Sequence, residues 1–189
     1  MDDRHVQIKL VFLGSIDIIL INGWGNCIVK IGVISDTHLT SCDARLTRLL
    51  EEHFDDVDLI LHAGDLIDMR VLDAFAGKNV KAVCGNMDLP SVKQHLPKKL
   101  VLDLCDYKVG LIHGWGMPFG MEGKLLKEVG HVDCLVYGHT HRATKEMRDG
   151  ILFFNPGSAT DKRFASRNTV GMLEIGDGIR GKIIELKDV

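Results

Sequence analysis

A series of short polar motifs recurs in order along this chain: Asp36-Thr37-His38, Gly64-Asp65, Gly85-Asn86-Met87-Asp88, His113-Gly114 and Gly138-His139-Thr140-His141. Nearly every one follows an apolar run with the pattern of a strand. No other feature constrains the fold as strongly. Polar side chains delivered at the carboxyl ends of successive strands meet in one crevice of an open α/β sheet, where such sheets bind their ligands.

The alternation can be followed residue by residue. Residues 29–35 are a short β-branched run stopping at Asp36, as a buried strand ending in a functional loop does. A helix follows, with Ser41 or Asp43 as cap and Leu46, Leu49, Leu50 and Phe54 along one face. Strand is expected again at 57–62 and 80–84, helix at 68–76, and a weak helical turn after Pro90. Such βαβ alternation implies parallel pairing. Residues 100–104 and 108–113 read as an antiparallel hairpin, followed by helix 122–129 and strand 133–137. Beyond that the chain turns all-β, with Asp149-Gly150 and Gly176-Asp177-Gly178 as hairpin turns joining 142–148 to 151–154 and 169–175 to 180–186. The expected fold class is α/β, two mixed sheets packed as a sandwich and flanked by helices.

A chain of 189 residues suits one well-buried core. Residues 29–189 are expected to form one domain, and residues 1–28 an N-terminal extension with little structure of its own. The apolar stretch at 10–21 is too short to span a membrane and contains Asp17. It is also a weak signal peptide, since Asp2 and Asp3 offset Arg4 and Lys9 and no small-residue cleavage site follows. Five cysteines without a C-x-x-C pair suit reduced thiols, hence a cytoplasmic protein. A formal net charge of -3 argues against stable nucleic-acid binding. No membrane partner is expected, and the protein is read as a monomer or homodimer.

The polar motifs supply ligand chemistry. Asp36 and His38, two apart, can offer an oxygen and a nitrogen on one side of an extended segment. Gly64 lets the backbone turn so that Asp65 points back across the strand ends. Asn86 can give a hard amide oxygen to a divalent ion, or donate its NH2 to a phosphate oxygen. His113, His139 and His141 close two predicted strands, and imidazole is the commonest side-chain ligand of transition metals. A mixed N and O set without thiolate suits Mn, Fe, Zn or Ni. Seven ligands are too many for one ion with an open position, so two ions sharing a carboxylate is the economical reading.

The order D-x-H, G-D, G-N-x-D, H-G, G-H-T-H and, at Asn155-Pro156-Gly157-Ser158, N-P-G-S resembles the calcineurin-like metallophosphoesterase superfamily and its small single-domain phosphodiesterase branch. The resemblance runs from about residue 29 to the end. It implies a four-layer αββα fold and hydrolysis of a small or nucleotide-like phosphodiester. It also implies two divalent ions, Mn first with Fe, Ni or Zn as alternatives. One ion would be held by Asp36, His38, Asp65 and His141, the other by Asp65, Asn86, His113 and His139. Asp65 bridges, and a water or hydroxide between the ions is the nucleophile. Asn86, Asp88 and His113 are the expected catalytic residues, Asp88 as an acceptor orienting Asn86 or a histidine. Asn86 and Arg163 are the expected substrate-binding residues, and the Asn155 to Ser158 loop shapes the site.

Met87 departs from the pattern. Many members of this superfamily have histidine there to protonate the leaving group, which a thioether cannot do. Diesters and activated esters are therefore expected to be preferred over alkyl monoesters. Ser158-Ala159-Thr160 also resembles a branch of the fold that serves as a trafficking scaffold, so a non-catalytic scaffold is the alternative function. Trp115 and Met117 could wall a nucleobase or serve merely as core or rim.

Overall fold

The computed structural model describes residues 27–162 and 164–187, so the expected extension over 1–28 lies, except for its last two residues, outside the described residues. Strands β1 (Val29–Ile34), β2 (Leu59–His62) and β3 (Val80–Ala82) pair in parallel. They form one sheet with the C-terminal hairpin β9 (Thr169–Ile175) and β10 (Ile179–Glu185), in the order β10-β9-β1-β2-β3. The second sheet has the order β4-β5-β6-β8-β7, with β4 (Lys99–Leu104), β5 (Tyr107–Ile112), β6 (Cys134–Tyr137), β7 (Thr144–Arg148) and β8 (Ile151–Asn155). Within it β5, β6 and β8 run parallel, and β4 and β7 are antiparallel edges. Both sheets are thus mixed.

Strand periodicity creates the layers. Ile31 and Val33 of β1 and Leu59 and Leu61 of β2 face inward, packing with Val109, Leu111, Val136 and Phe154 of the other sheet. Ile34 and Ile60 face outward beneath Leu46, Leu49 and Leu50 of α1 (Ala44–His53). On the far side, α3 (Met121–Val129) lays Met121 and Leu125 on Ile112, Leu135 and Tyr137. The result is the expected αββα sandwich. Asp43 caps α1 by accepting from Arg45 N–H at 2.8 Å. A short helix α2 (Pro90–His95) starts on proline. The helix expected over 68–76 is a 3-10 helix, Met69–Phe75, its cap Asp68 accepting from Arg70 N–H. No helix among the described residues is long and apolar enough to cross a membrane.

The cysteine expectation fails in part. Cys27 and Cys105 form a disulfide, while Cys42, Cys84 and Cys134 are free thiols as expected. The bond spans 78 residues and is invisible in Cys spacing, because it arises only when the segment entering β1 packs against the β4–β5 turn of the opposite sheet. It also removes the reasoning from reduced cysteines to a cytoplasmic location. Closing a loop of that length is expected to stabilise the fold by about 4 kcal/mol in the chain-entropy account. Cys27→Ser should therefore lower the unfolding free energy by about 2–4 kcal/mol, read from denaturant titrations of the non-reduced proteins.

Candidate metal centre

Strands β1, β2, β3, β5 and β6 all end on the same edge of the sandwich, and each hands its following loop to one point. Asp36 and His38 follow β1, Asp65 follows β2, Asn86 follows β3, His113 follows β5, and His139 and His141 follow β6. Asp36, Asp65, His113 and His141 are buried there. Asp36, His38 and His141 form one group, and Asp36, Asp65 and His113 another, with the ligand atoms in each lying within 4.8 Å of one another. Asp36 belongs to both. Asp65 Oδ2 also reaches across, at 3.2 Å from His113 Nε2 and 3.8 Å from His38 Nε2.

The backbone is bent to achieve this. Asp36 (φ 53°), His38 (φ 49°), Asp65 (φ 55°), His139 (φ 74°) and His141 (φ 55°) all lie in the left-handed region. Non-glycine residues seldom adopt it, and each instance costs on the order of 1–3 kcal/mol. A cluster of such residues on the converging side chains marks the place where the fold sacrifices local stability.

Hydrogen bonds divide each group into a braced atom and a bare one. Asp36 Oδ2 accepts from Ser35 Oγ–H (2.6 Å) and from His139 N–H (3.1 Å), leaving Oδ1 toward the centre. Asp65 Oδ1 accepts Met87 N–H at 2.8 Å, leaving Oδ2. His113 Nδ1 lies 2.6 Å from Ala63 O, which can only accept, so the neutral ring carries its proton there and turns the Nε2 lone pair on Asp65 Oδ2. His139 is held in the opposite sense. Its Nε2 donates to Gly116 O at 2.9 Å, and its Nδ1 lone pair meets Asn86 Oδ1 at 2.9 Å.

Ligand atoms crowd together at the centre. His38 Nε2 and His141 Nε2 are 3.0 Å apart, and His141 Nε2 is 3.2 Å from Asp36 Oδ1. Asp36 Oδ1 and His113 Nε2 are buried without a hydrogen-bond partner among the described residues. Unpartnered buried acceptors are costly, and converging ones repel. Divalent cations fit this donor set, whose mixed imidazole nitrogens and carboxylate and amide oxygens suit transition ions.

The electrostatics agree. Burial pushes the Asp36 carboxyl up, but the crowding imidazoles of His141, His38 and His113 hold it well below the carboxylate range. Asp65 is likewise lowered, its burial outweighed by His113. His113 is raised, since Asp65 and Asp36 overcome its burial. His62, wholly buried beside the centre, is pushed down to about 3 by burial. It stays neutral, accepting Gly64 N–H on Nδ1 and donating from Nε2 to Thr37 Oγ1. These shifts set a stability window for metal-free protein. Carboxylates with depressed pKa contribute above their ordinary value of 3.8 and lose that contribution as pH falls through the lowered one. His113 contributes below its ordinary 6.5 and loses it as pH rises through the raised value. Melting temperature in chelator is expected to peak between those limits and to fall on both sides.

Asp88 serves differently from the expected orienting of Asn86 or a histidine. Its two oxygens accept Ile67 N–H and Gly85 N–H, each at 2.6 Å, clamping the Asp65 loop to the Asn86 loop. The Asn155 to Ser158 loop is a brace, as expected. Asn155 Nδ2 donates to Gly138 O (3.0 Å) and Ser158 Oγ to Asp36 O (2.8 Å), tying the histidine loop to the Asp36 loop. Arg163 lies outside the described residues. One residue was missed: Asp161, buried, has Oδ2 3.8 Å from His38 Nε2, and its only sequence signal is its place just beyond the bracing loop.

The family model for the calcineurin-like phosphoesterase superfamily domain matches residues 29–178. The chain is 39% identical over 163 residues to a probable metallophosphoesterase of Methanocaldococcus jannaschii, covering 84% of this chain and 82% of that one. Among solved structures it resembles a novel archaeal phosphodiesterase, with TM-score 0.69 and 25% identity over 83% of this chain and 99% of the other. Vps29 of Entamoeba histolytica complexed with Zn²⁺ shares the fold, with TM-score 0.62 and 22% identity over 82% of this chain and 98% of that one.

Proposed function

The chain belongs to the calcineurin-like phosphoesterase superfamily, and from that footing we propose that it is a dinuclear metal-dependent phosphodiesterase acting on a small or nucleotide-like diester. The observation that carries the reading is the convergence of Asp36 Oδ1, Asp65 Oδ2, His113 Nε2 and His141 Nε2 on one point, with Asp36 Oδ1 and His113 Nε2 buried and without a hydrogen-bond partner among the described residues. Two divalent cations bound there, Mn first and Fe, Ni or Zn otherwise, would supply an activated water and neutralise charge on the phosphoryl group. Asp36, His38, Asp65 and His141 are assigned to one ion and Asp65, Asn86, His113 and His139 to the other, with Asp65 shared.

The remaining roles follow from position. Asn86, exposed at the rim, presents its amide to a phosphoryl oxygen. Asp88 keeps Asn86 and Asp65 in register through the backbone. Arg163 is assigned to the anionic substrate on its place in the sequence, and residues 29–189 are read as the single catalytic domain.

Metal-stripped protein should hydrolyse bis(p-nitrophenyl) phosphate only after Mn²⁺ is restored. Metal uptake without turnover with Mn²⁺, Ni²⁺ or Zn²⁺ would instead point to a scaffold. The 54% exposed Met87 side chain puts no proton donor at the rim. Met87→His is therefore expected to raise hydrolysis of alkyl monoesters by about 10²-fold, the lower end of general-acid assistance, with little change for p-nitrophenyl esters. No rise would show that leaving-group protonation is not what position 87 controls.

A further inference from the structure

A cleft of about 500 Å³ opens from the metal centre, sharing Asn86 and His113 with it and leading toward Lys93, Lys98 and Lys99. Its charge runs opposite to the chain's net -3. Glu128 is its one acidic lining residue, and that carboxylate is 3.4 Å from Lys99 Nζ. Lys93 Nζ is tied by 2.8 Å to the backbone oxygen of Asn86, which holds one cation at the metal-centre end. Lys98 has no hydrogen bond or ion pair among the described residues, and the fields of Lys93 and Lys98 both reach the Cys84 thiol on the cleft wall. Trp115, just after His113-Gly114, lines the same cleft with its side chain 46% exposed.

A solvated lysine face would scatter such cations over open surface. Here they line a concavity that begins at two candidate ligands and includes an indole. An exposed tryptophan at a concave, cationic site offers a face on which any nucleobase can stack. Two lysine charges in excess of the lone carboxylate match a phosphate monoester, which carries about -1.5 to -2 at neutral pH.

We propose that this cleft is a subsite for one ester arm of the substrate, and that this arm is a nucleoside bearing a second phosphate. The base lies against Trp115 and the second phosphate lies among Lys93, Lys98 and Lys99. The substrate class is thereby narrowed to phosphodiesters with a phosphorylated nucleoside arm. The assignment rests on the phosphodiesterase reading, but part of it can be tested without turnover.

In metal-free protein held in chelator, adenosine 3′,5′-bisphosphate is expected to quench tryptophan fluorescence and to bind at least tenfold more tightly than adenosine, with affinity falling as salt rises. Trp115→Phe should abolish the quench, leaving the signal of Trp24. Lys98→Ala/Lys99→Ala should weaken bisphosphate binding about tenfold, whereas Lys145→Ala/Lys182→Ala, removing two exposed lysines elsewhere, should not. In the Mn²⁺-loaded enzyme, a 3′-phosphate on the p-nitrophenyl ester of thymidine 5′-phosphate should lower KM about tenfold, and the Lys98/Lys99 double variant should lose that advantage. Equal binding of adenosine and its bisphosphate, or an unchanged affinity in the Lys98/Lys99 variant, overturns the subsite. Absence of turnover in metal-loaded protein that still binds the bisphosphate through Trp115 and the lysines overturns the phosphodiesterase reading and leaves a nucleotide-binding cleft.

Discussion

Asp65→Asn is expected to cut metal-dependent diester hydrolysis by about 10³-fold or more, corresponding to about 4 kcal/mol of transition-state stabilisation, with the fold intact. The amide oxygen can take over Met87 N–H, which Asp65 Oδ1 now accepts at 2.8 Å, so the loop geometry survives. The NH2 group then replaces Oδ2, 3.2 Å from His113 Nε2, and puts a donor where a lone pair was bare. A donor satisfies the histidine and repels a cation. Above the raised pKa of His113, where its ring is neutral, metal-free Asp65→Asn should therefore melt at or above the wild-type temperature. It should also lose the stabilisation that saturating Mn²⁺ gives the wild type, about 2.7 kcal/mol at a hundredfold excess over Kd. Turnover assays and calorimetric melts with and without Mn²⁺ check both halves, and wild-type turnover in the variant would remove Asp65 from the centre.

The second large effect falls on glycines that the ligands need beside them. Gly64 has φ +94°, and a Cβ there would stand 2.7 Å from His113 Nδ1. Gly85 lacks the room altogether, since a Cβ would lie 2.1 Å from Asp65 Oδ1 and 2.5 Å from Asp65 N. Either alanine must push a candidate ligand off its bracing hydrogen bond. Overpacking costs about 1–3 kcal/mol, and at Gly64 the left-handed backbone adds about 1–2 kcal/mol. Gly64→Ala is expected to lose about 2–5 kcal/mol, the sum of both costs, and Gly85→Ala about 1–3 kcal/mol from overpacking alone, each together with nearly all metal-dependent activity. Gly77 is the control: its φ is +80° but nothing lies within 4 Å of a Cβ there. Gly77→Ala should show the backbone cost alone and keep full activity. Equal loss at Gly64 and Gly77, with none at Gly85, would mean that backbone strain, not displacement of the ligands, governs the effect.

Most of the fold was legible because strand and helix periods were clean and the turn residues stood where chain reversal required them. The stretch 169–175 forms β9, and Asp149-Gly150 turns β7 into β8, as read. The seven predicted ligands come from loops on one edge because parallel strands place their carboxyl ends together, a property that alternation alone reveals. What stayed hidden depends on contacts distant in sequence. Asp88 looks like a ligand's neighbour in the chain, but its two oxygens are taken by backbone N–H groups, one of them 21 residues away. Asp161 reaches His38 only because Ser158 Oγ accepts the Asp161 N–H and donates to Asp36 O. The Cys27–Cys105 bond depends on the stacking of two sheets, which no local spacing encodes.

That bond has a mechanical counterpart. Cys27 enters β1 and Asp36 leaves it, while Cys105 precedes β5 and His113 follows it, so the covalent link and the candidate metal centre sit at opposite ends of the same two strands. The centre is itself a seam: the first sheet contributes Asp36, His38, Asp65 and Asn86, and the second contributes His113, His139 and His141. Apolar packing between the sheets is non-directional and tolerates sliding of one against the other. Pinned by sulfur at one end and by shared ions at the other, the sandwich would have two fixed points against shear. Its interior would then need only to exclude water, and the spacing of the ligands would be held from both sides.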